Sequence, residues 1–195
     1  MRKTIISLLL LSLTACSGAT TSPAAKSGPI EGNATVSTKP TQSATPFACP
    51  TVGIIEDLRS MTLFGNNEQP SANDIQGYGK IEDFSGSCVY ENGVVTVDLD
   101  VMFAGRKGGA SMASRVKESN IAFPYFIAFS DENGNVLNKE VFAVALRFRE
   151  GLDSTHQVEH LKPKIPMPNP SMGSRYQILV GFQLNKAQLD FNRGE

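Results

Sequence analysis

The sequence predicts a mainly β protein, an antiparallel β-sandwich with a short C-terminal helix. Three observations carry that reading. Asn92-Gly93 stands between two runs of strand-forming residues, the strongest short-range hairpin signal a sequence can give. Val95, Val97, Leu99, Val101 and Phe103 alternate with Val94, Thr96, Asp98, Asp100 and Met102, the period-two pattern of a half-buried strand. Further runs of this kind recur between turn residues, with little that reads as helix.

Order is expected to begin at Phe47-Ala48-Cys49-Pro50. Residues 52–55 suit a first strand, and residues 57–64 fit a second strand or a helical turn. Asn66-Asn67-Glu68-Gln69-Pro70-Ser71 is a loop by its turn residues. A two-residue turn at Asn92-Gly93 sets a register in which Glu91 faces Val94, Tyr90 faces Val95, Cys88 faces Val97, Gly86 faces Leu99 and Phe84 faces Val101. Directly opposed residues share a face, so Phe84, Cys88 and Tyr90 fall on the apolar side.

Residues 105–119 form a polar, Gly-rich connection. A strongly apolar strand follows at 121–129, and its Pro124 predicts an edge position or a bulge. Asp131-Glu132-Asn133-Gly134-Asn135 is a turn. Phe142, Val144, Leu146 and Phe148 then mark one face of a strand over 140–149, with Arg147 and Arg149 on the other. Residues 155–165 read as another strand. Pro163, Pro166, Pro168 and Pro170 predict an extended connection. Tyr176, Ile178, Val180, Phe182 and Leu184 mark a last strand. Asn185, with Gln188 three residues on, can cap a closing helix. Seven or eight such strands resemble an immunoglobulin-like architecture, without the buried Trp of true immunoglobulin domains.

The chain of 195 residues starts with Arg2, Lys3 and the apolar run Ile5-Ile6-Ser7-Leu8-Leu9-Leu10-Leu11, followed by Leu13-Thr14-Ala15-Cys16. A basic start, a short apolar core and small residues make a secretory signal. The apolar run is far below the ~20 residues that span a bilayer. Leu13-Thr14-Ala15-Cys16 resembles the lipobox of bacterial lipoproteins. That resemblance implies cleavage before Cys16, a diacylglycerol on its thiol and an acyl chain such as palmitate on its freed amine. Several chains on one residue anchor stably where one does not. Ser17, rather than Asp, after the Cys implies transfer to the outer membrane, facing the periplasm.

The domains expected are therefore a signal peptide at 1–15, a lipidated Cys16 with a tether to residue 46, and a sandwich at 47–195. Ser, Thr, Ala, Pro and Gly dominate residues 17–46, a composition that cannot build a core. About 30 such residues reach ~30 Å on flexible-chain statistics.

Removing Arg2 and Lys3 from the 18 basic residues leaves 16 against 19 acidic, a net charge of −3. That balance offers no clustered basic surface for nucleic acid. With Cys16 lipidated, Cys49 and Cys88 remain as an even pair in an oxidising compartment, which predicts a disulfide between them. Closing a loop of about 40 residues contributes ~4 kcal/mol on the chain-entropy model.

Gly181-Phe182-Gln183-Leu184, Gln188-Leu189 and Asn192-Arg193, with Cys49-Pro50 at the domain start, resemble the ending and opening of an uncharacterised group of proteobacterial lipoproteins. The resemblance brings no activity with it.

The sharpest catalytic pattern is His156-Gln157-Val158-Glu159-His160, which matches the H-x-x-E-H of inverted zinc peptidases. That chemistry needs both His on one helix face. In a strand, residues four apart are ~13 Å apart, too far to share an ion bound at ~2 Å, so two surface histidines are expected instead. Asp131, Asn133 and Asn135 open like a calcium loop, but Val136 and Phe142 stand where it needs Gly and Glu. Asp98 and Asp100 share an outward face. Glu56-Asp57 and Glu82-Asp83 are expected to split across strand faces. Arg106, Lys107, Gly108 and Gly109 are a candidate anion nest, though a loop serves as well. No phosphate loop, dinucleotide fingerprint or Gly-x-Ser-x-Gly elbow appears, so no cofactor and no catalytic residues are assigned. Tyr125 and Phe126 are neighbours and cannot both point inward, so one is available to an exposed patch.

The expectation from sequence is a non-enzymatic interaction or envelope-assembly module, anchored to the membrane and meeting an envelope protein. The alternatives are a small-ligand or glycan-binding module and, last, a zinc hydrolase using His156, Glu159 and His160.

Overall fold

The computed structural model describes residues 35–39, 41–43, 47–65, 71–112 and 119–194. The expected signal peptide, Cys16 and most of the segment expected as a tether lie outside them. Two sheets stack into a sandwich. The five-stranded sheet runs in the order β1 (Val36–Lys39), β3 (Thr51–Ile55), β11 (Gln177–Phe182), β7 (Ser119–Ser130), β8 (Val136–Phe148). The other has β10 (Lys164–Pro166), β6 (Val94–Lys107), β5 (Ile75–Glu91) and β2 (Gln42–Ser43) in line. There β4 (Ser60–Phe64) also pairs with β5, and β9 (Ser154–Leu161) also pairs with β6. Pairing is antiparallel except for β3 with β11 and β2 with β5. The agreement with the sequence extends to the sandwich and its closing helix, not to an immunoglobulin strand order.

The long hairpin β5–β6 is the frame. Asn92 (φ 51°) and Gly93 (φ 78°) both adopt positive φ, as a type I′ turn requires. The register is the one expected: Glu91 opposite Val94, Cys88 opposite Val97, Phe84 opposite Val101. A bulge after Ile81 shifts the remaining pairs. Val97, Val101 and Phe103 are fully buried against Phe123, Tyr125 and Phe182 of the facing sheet. Cys88 is bonded to Cys49, with Cα atoms 6.1 Å apart.

The structure corrects five expectations. The segment expected as a tether to residue 46 holds two short strands, since Val36–Lys39 pairs with β3 and Gln42–Ser43 with β5. Pro124 is not on an edge: β7 lies between β11 and β8. Gln183 donates to the Pro124 carbonyl, and Pro124 has no N–H to return; it sits one step beyond Phe182 opposite Tyr125, where β11 stops pairing. The strand expected at 155–165 is two strands, broken at Lys162-Pro163, whose proline accepts from the Val97 N–H. The proline-rich stretch is not wholly extended. Pro170–Arg175 coils into 3-10 turns, with the Asn169 side chain accepting from the Ser171 N–H. Gly173 lets this turn lie on residue 48, since a Cβ there would strike the Ala48 carbonyl. The connection expected from residue 105 is partly strand, because β6 continues to Lys107 and a short helix α1 (Gly109–Met112) follows.

Residues 56–64 resolve into a 3-10 turn, Glu56–Leu58, followed by β4. The last helix, α2 (Lys186–Arg193), carries the expected capping box: the Gln188 N–H donates to Asn185 and the Asn185 N–H to Gln188, both at 2.9 Å. Gln188 also donates to the Thr62 carbonyl of β4 at 3.1 Å, and Phe191 meets Phe64 edge-on, so the helix is fixed to the sheet.

Candidate functional site

β9 decides the fate of the H-x-x-E-H pattern. Its register places Thr155, Gln157, Glu159 and Leu161 opposite Gly105, Phe103, Val101 and Leu99, residues of the inner face. His156 and His160 therefore point the other way, out to solvent. His156 Nε2 lies 3.3 Å from Glu82 Oε2, and His160 Nδ1 lies 2.6 Å from Asp100 Oδ1. The two histidines and Glu159 stand on opposite faces and cannot converge on one ion. Among the described residues, no group of three or more His, Cys, Asp or Glu could hold a metal.

The same outer face carries Asp98 paired with Lys162 at 2.8 Å. Asp98 and Asp100 do share it, as expected, and both have basic partners. Such exposed pairs are screened by solvent and hold little stability. Glu82 and Asp83 do not split across faces, because the bulge after Ile81 leaves both exposed. Glu56 and Asp57 lie in the 3-10 turn rather than a strand. Glu56 takes a two-pronged contact from Arg59, and Asp57 one from Arg193.

The Asp131 loop is a turn. Its Oδ1 accepts from the Asn133 and Asn135 N–H groups, each at 2.9 Å, and Gly134 takes φ 80°. Hydrogen bonding from Asn135, with Asn133 adding to it, lowers the Asp131 pKa. At the other candidate nest, the Gly108 N–H is spent on the Gln76 carbonyl, which removes it from any anion site. Arg106 covers the Tyr78 ring and Lys107 lies over Phe148.

The outer face of the five-stranded sheet is different in kind. Ile55, Phe126, Ala128 and Leu179 form a second apolar cluster there, extended by Val36, Leu58 and Val136. Tyr125 and Phe126 divide as expected, Tyr125 inward and Phe126 outward, yet Phe126 is not exposed. Lys139 covers it, Nζ 4.1 Å from the ring centre, and partial burial lowers that lysine's pKa. The exposed apolar residue is its strand partner Val141, 56% exposed. Ala122, Ala143 and Ala145 continue the patch. Lys139 and Arg147 are the charges at its margin on β8, and no acid shares this side of β7 or β8. The six successive apolar residues from Val141 to Leu146 are the sequence signal of a strand apolar on both faces.

Among the described residues, β8 and β9 each keep one edge unpaired, and they flank the same side of the sandwich. Between them opens a slot of about 230 Å³, lined by Ile127, Phe129, Glu140, Phe142 and Leu161, with His160, Lys162 and Pro163 at its rim. Glu140 is opposite Ile127, and Phe142 is opposite Tyr125. Tyr125 stacks on Phe142 with ring centres 5.6 Å apart. Burial raises the Tyr125 pKa, and the Glu159 charge raises it further.

No known protein family, characterised protein or solved structure matches this chain. The likeness to lipoproteins therefore rests on the residues that suggest it. No helix among the described residues is long and apolar enough to cross a membrane.

Proposed function

We propose that this chain is a lipid-anchored envelope protein whose sandwich is a non-enzymatic interaction module, meeting a protein partner through the outer side of the five-stranded sheet. The observation that carries the reading is the contrast between the two outer faces. One is laced with Glu82, Asp98, Asp100 and their basic partners. The other presents Val141 and neighbouring alanines beside the free edge of β8. Exposed apolar area rimmed by polar groups marks contact surfaces, and an unpaired edge offers main-chain groups to a partner. The separation of His156 and His160 from Glu159 supports a binding role over zinc chemistry.

The anchor is the Cys16 lipid, with the outer membrane, periplasmic side, as the location. Its test is metabolic labelling with a palmitate analogue in cells. Label is expected on the wild-type chain and lost in Cys16→Ala; equal labelling of both would remove the anchor. The interaction module is tested by cross-linking in cells and identification of what is joined. Recurrent capture of one envelope protein is expected, and capture of none across growth conditions would contradict the reading.

A further inference from the structure

Helix α2 lies over the outer face of β4, where Gln188 donates to the Thr62 carbonyl. Thr62 is opposite Tyr78 of β5, and Tyr78 is opposite Arg106 of β6. The next row along is Ser60, Lys80 and Ala104. Directly opposed residues share a face, so both rows stand on the outer side. The first row is tall, with α2 over Thr62 and the Arg106 guanidinium 4.8 Å from the centre of the Tyr78 ring. In the second, Ser60 and Ala104 are short. A groove of about 460 Å³ opens over them, with Phe191 and Asn192 of α2 on one side and Tyr78 and Arg106 on the other. Small-molecule sites have this size, roughly 300–1,000 Å³.

The groove carries charge, an aromatic face and an acceptor together. Lys80 and Arg106 line it as diagonal neighbours on adjacent strands. Neither makes an ion pair among the described residues. Asp57 beside α2 and Glu82 farther along β5 are committed, to Arg193 and His156. The Phe191 ring is 46% exposed, and its edge-on contact with Phe64 holds it in place. Asn192 is oriented by its amide nitrogen, which donates to the Ser60 carbonyl at 2.8 Å and the Asp57 carbonyl at 3.4 Å. Its Oδ1 is thereby fixed as an acceptor, and it takes no hydrogen bond among the described residues. Two uncommitted cations, a held ring and an oriented acceptor match an anion, an apolar ring face and a hydroxyl on one molecule.

We infer that this groove binds an acidic sugar, a pyranose carrying a carboxylate. The carboxylate accepts charge-assisted hydrogen bonds from Arg106 and Lys80, with Arg106 already steadied on Tyr78. The C–H face of the sugar packs on Phe191. A sugar hydroxyl donates to Asn192 Oδ1. The inference goes beyond the contact proposed for the five-stranded sheet and does not rest on it, since the groove lies on the other sheet and small sugars test it with no protein partner present.

The experiment titrates the purified full-length protein with methyl α-galacturonide. Methyl α-galactoside is the control without charge, and cyclohexanecarboxylate the control without hydroxyls. Calorimetry and the backbone amide resonances of β5, β6 and α2 are the readouts. Saturable binding of the galacturonide is expected, with shifts centred on Lys80, Arg106 and Asn192, and both controls at least about tenfold weaker. Lys80→Gln and Arg106→Gln are each expected to weaken it about tenfold, and Phe191→Leu several-fold. All three side chains are exposed, and unchanged near-ultraviolet dichroism shows that the variants fold. No saturation up to about 20 mM, a control that binds as tightly as the galacturonide, or unchanged affinity in Lys80→Gln and Arg106→Gln overturns the inference. Trigalacturonate separates the sources. Tighter binding than the single sugar assigns an acidic polysaccharide, and equal or weaker binding a free acidic sugar; either supports the site.

Discussion

Cys49 and Cys88 are joined across the sandwich. Cys49 lies just before β3 of the five-stranded sheet, and Cys88 sits 1% exposed in β5 of the other. The bond thus ties the two layers at one end and closes a separation of 39 residues. Cys49→Ser with Cys88→Ala is expected to lower unfolding stability by about 4 kcal/mol, within the 2–5 kcal/mol typical of such losses. Chemical denaturation of the double variant against the oxidised wild type measures this. An unchanged midpoint would mean that the unfolded chain is not restrained by the bond.

Gln188 serves two elements at once, closing the capping box of α2 and donating to Thr62 of β4. It is 3% exposed. Gln188→Ala leaves a buried carbonyl unmet and one helix-end donor unpaired, at a cost of about 2–3 kcal/mol. Asn185→Ala, which removes the cap alone, is expected to cost ~1 kcal/mol. Equal costs for the two, by thermal or denaturant unfolding, would show that the Thr62 bond contributes nothing.

The Asp131 carboxylate is held in its charged form by its own loop. A carboxyl whose pKa is lower folded than unfolded stabilises the fold above its unfolded pKa. That contribution is lost as pH falls through the lowered value. Amide shifts of Asn133 and Asn135 are therefore expected to titrate below the ordinary aspartate range, at pH less than about 4. In Asp131→Asn that titration disappears. A midpoint at or above the ordinary value would contradict the loop geometry.

His156→Ala and His160→Ala are expected to leave the protein folded, each changing stability by less than about 1 kcal/mol, as for exposed ion pairs. Calorimetry with zinc should show no one-to-one site in the wild type that either variant removes. Loss of such a site in both variants would restore the metal reading.

Much of the fold is legible because it is local. The Asn92-Gly93 turn fixes its own register, and from it follow the inward face of Cys88 and the inner row of β6. Asn185 and Gln188 are three residues apart and announce their helix. Sheet order is a long-range property. Pro124 reads as an edge residue because its missing N–H bars it from a ladder, but the sequence does not show that β11 ends one residue short of it. The pairing of Val36–Lys39 with β3 is likewise hidden in a Ser/Thr-rich segment. The apolar outer face was half legible, through Tyr125 and Phe126. Its exposed member proved to be Val141, because Lys139 folds over Phe126. The slot between β8 and β9 is not legible at all, since Phe142 and Leu161 line one cavity only when two strands from different sheets flank the same side.

The proposed role stands or falls with the outer face at Val141. A photo-reactive amino acid placed at position 141 should cross-link in cells to one envelope protein. The same group at Ser85, on the outer face of the opposite sheet, should give no such product. Val141→Asp should abolish capture of that protein while changing stability by less than about 1 kcal/mol. Equal products from positions 141 and 85, or none from 141, would contradict the account.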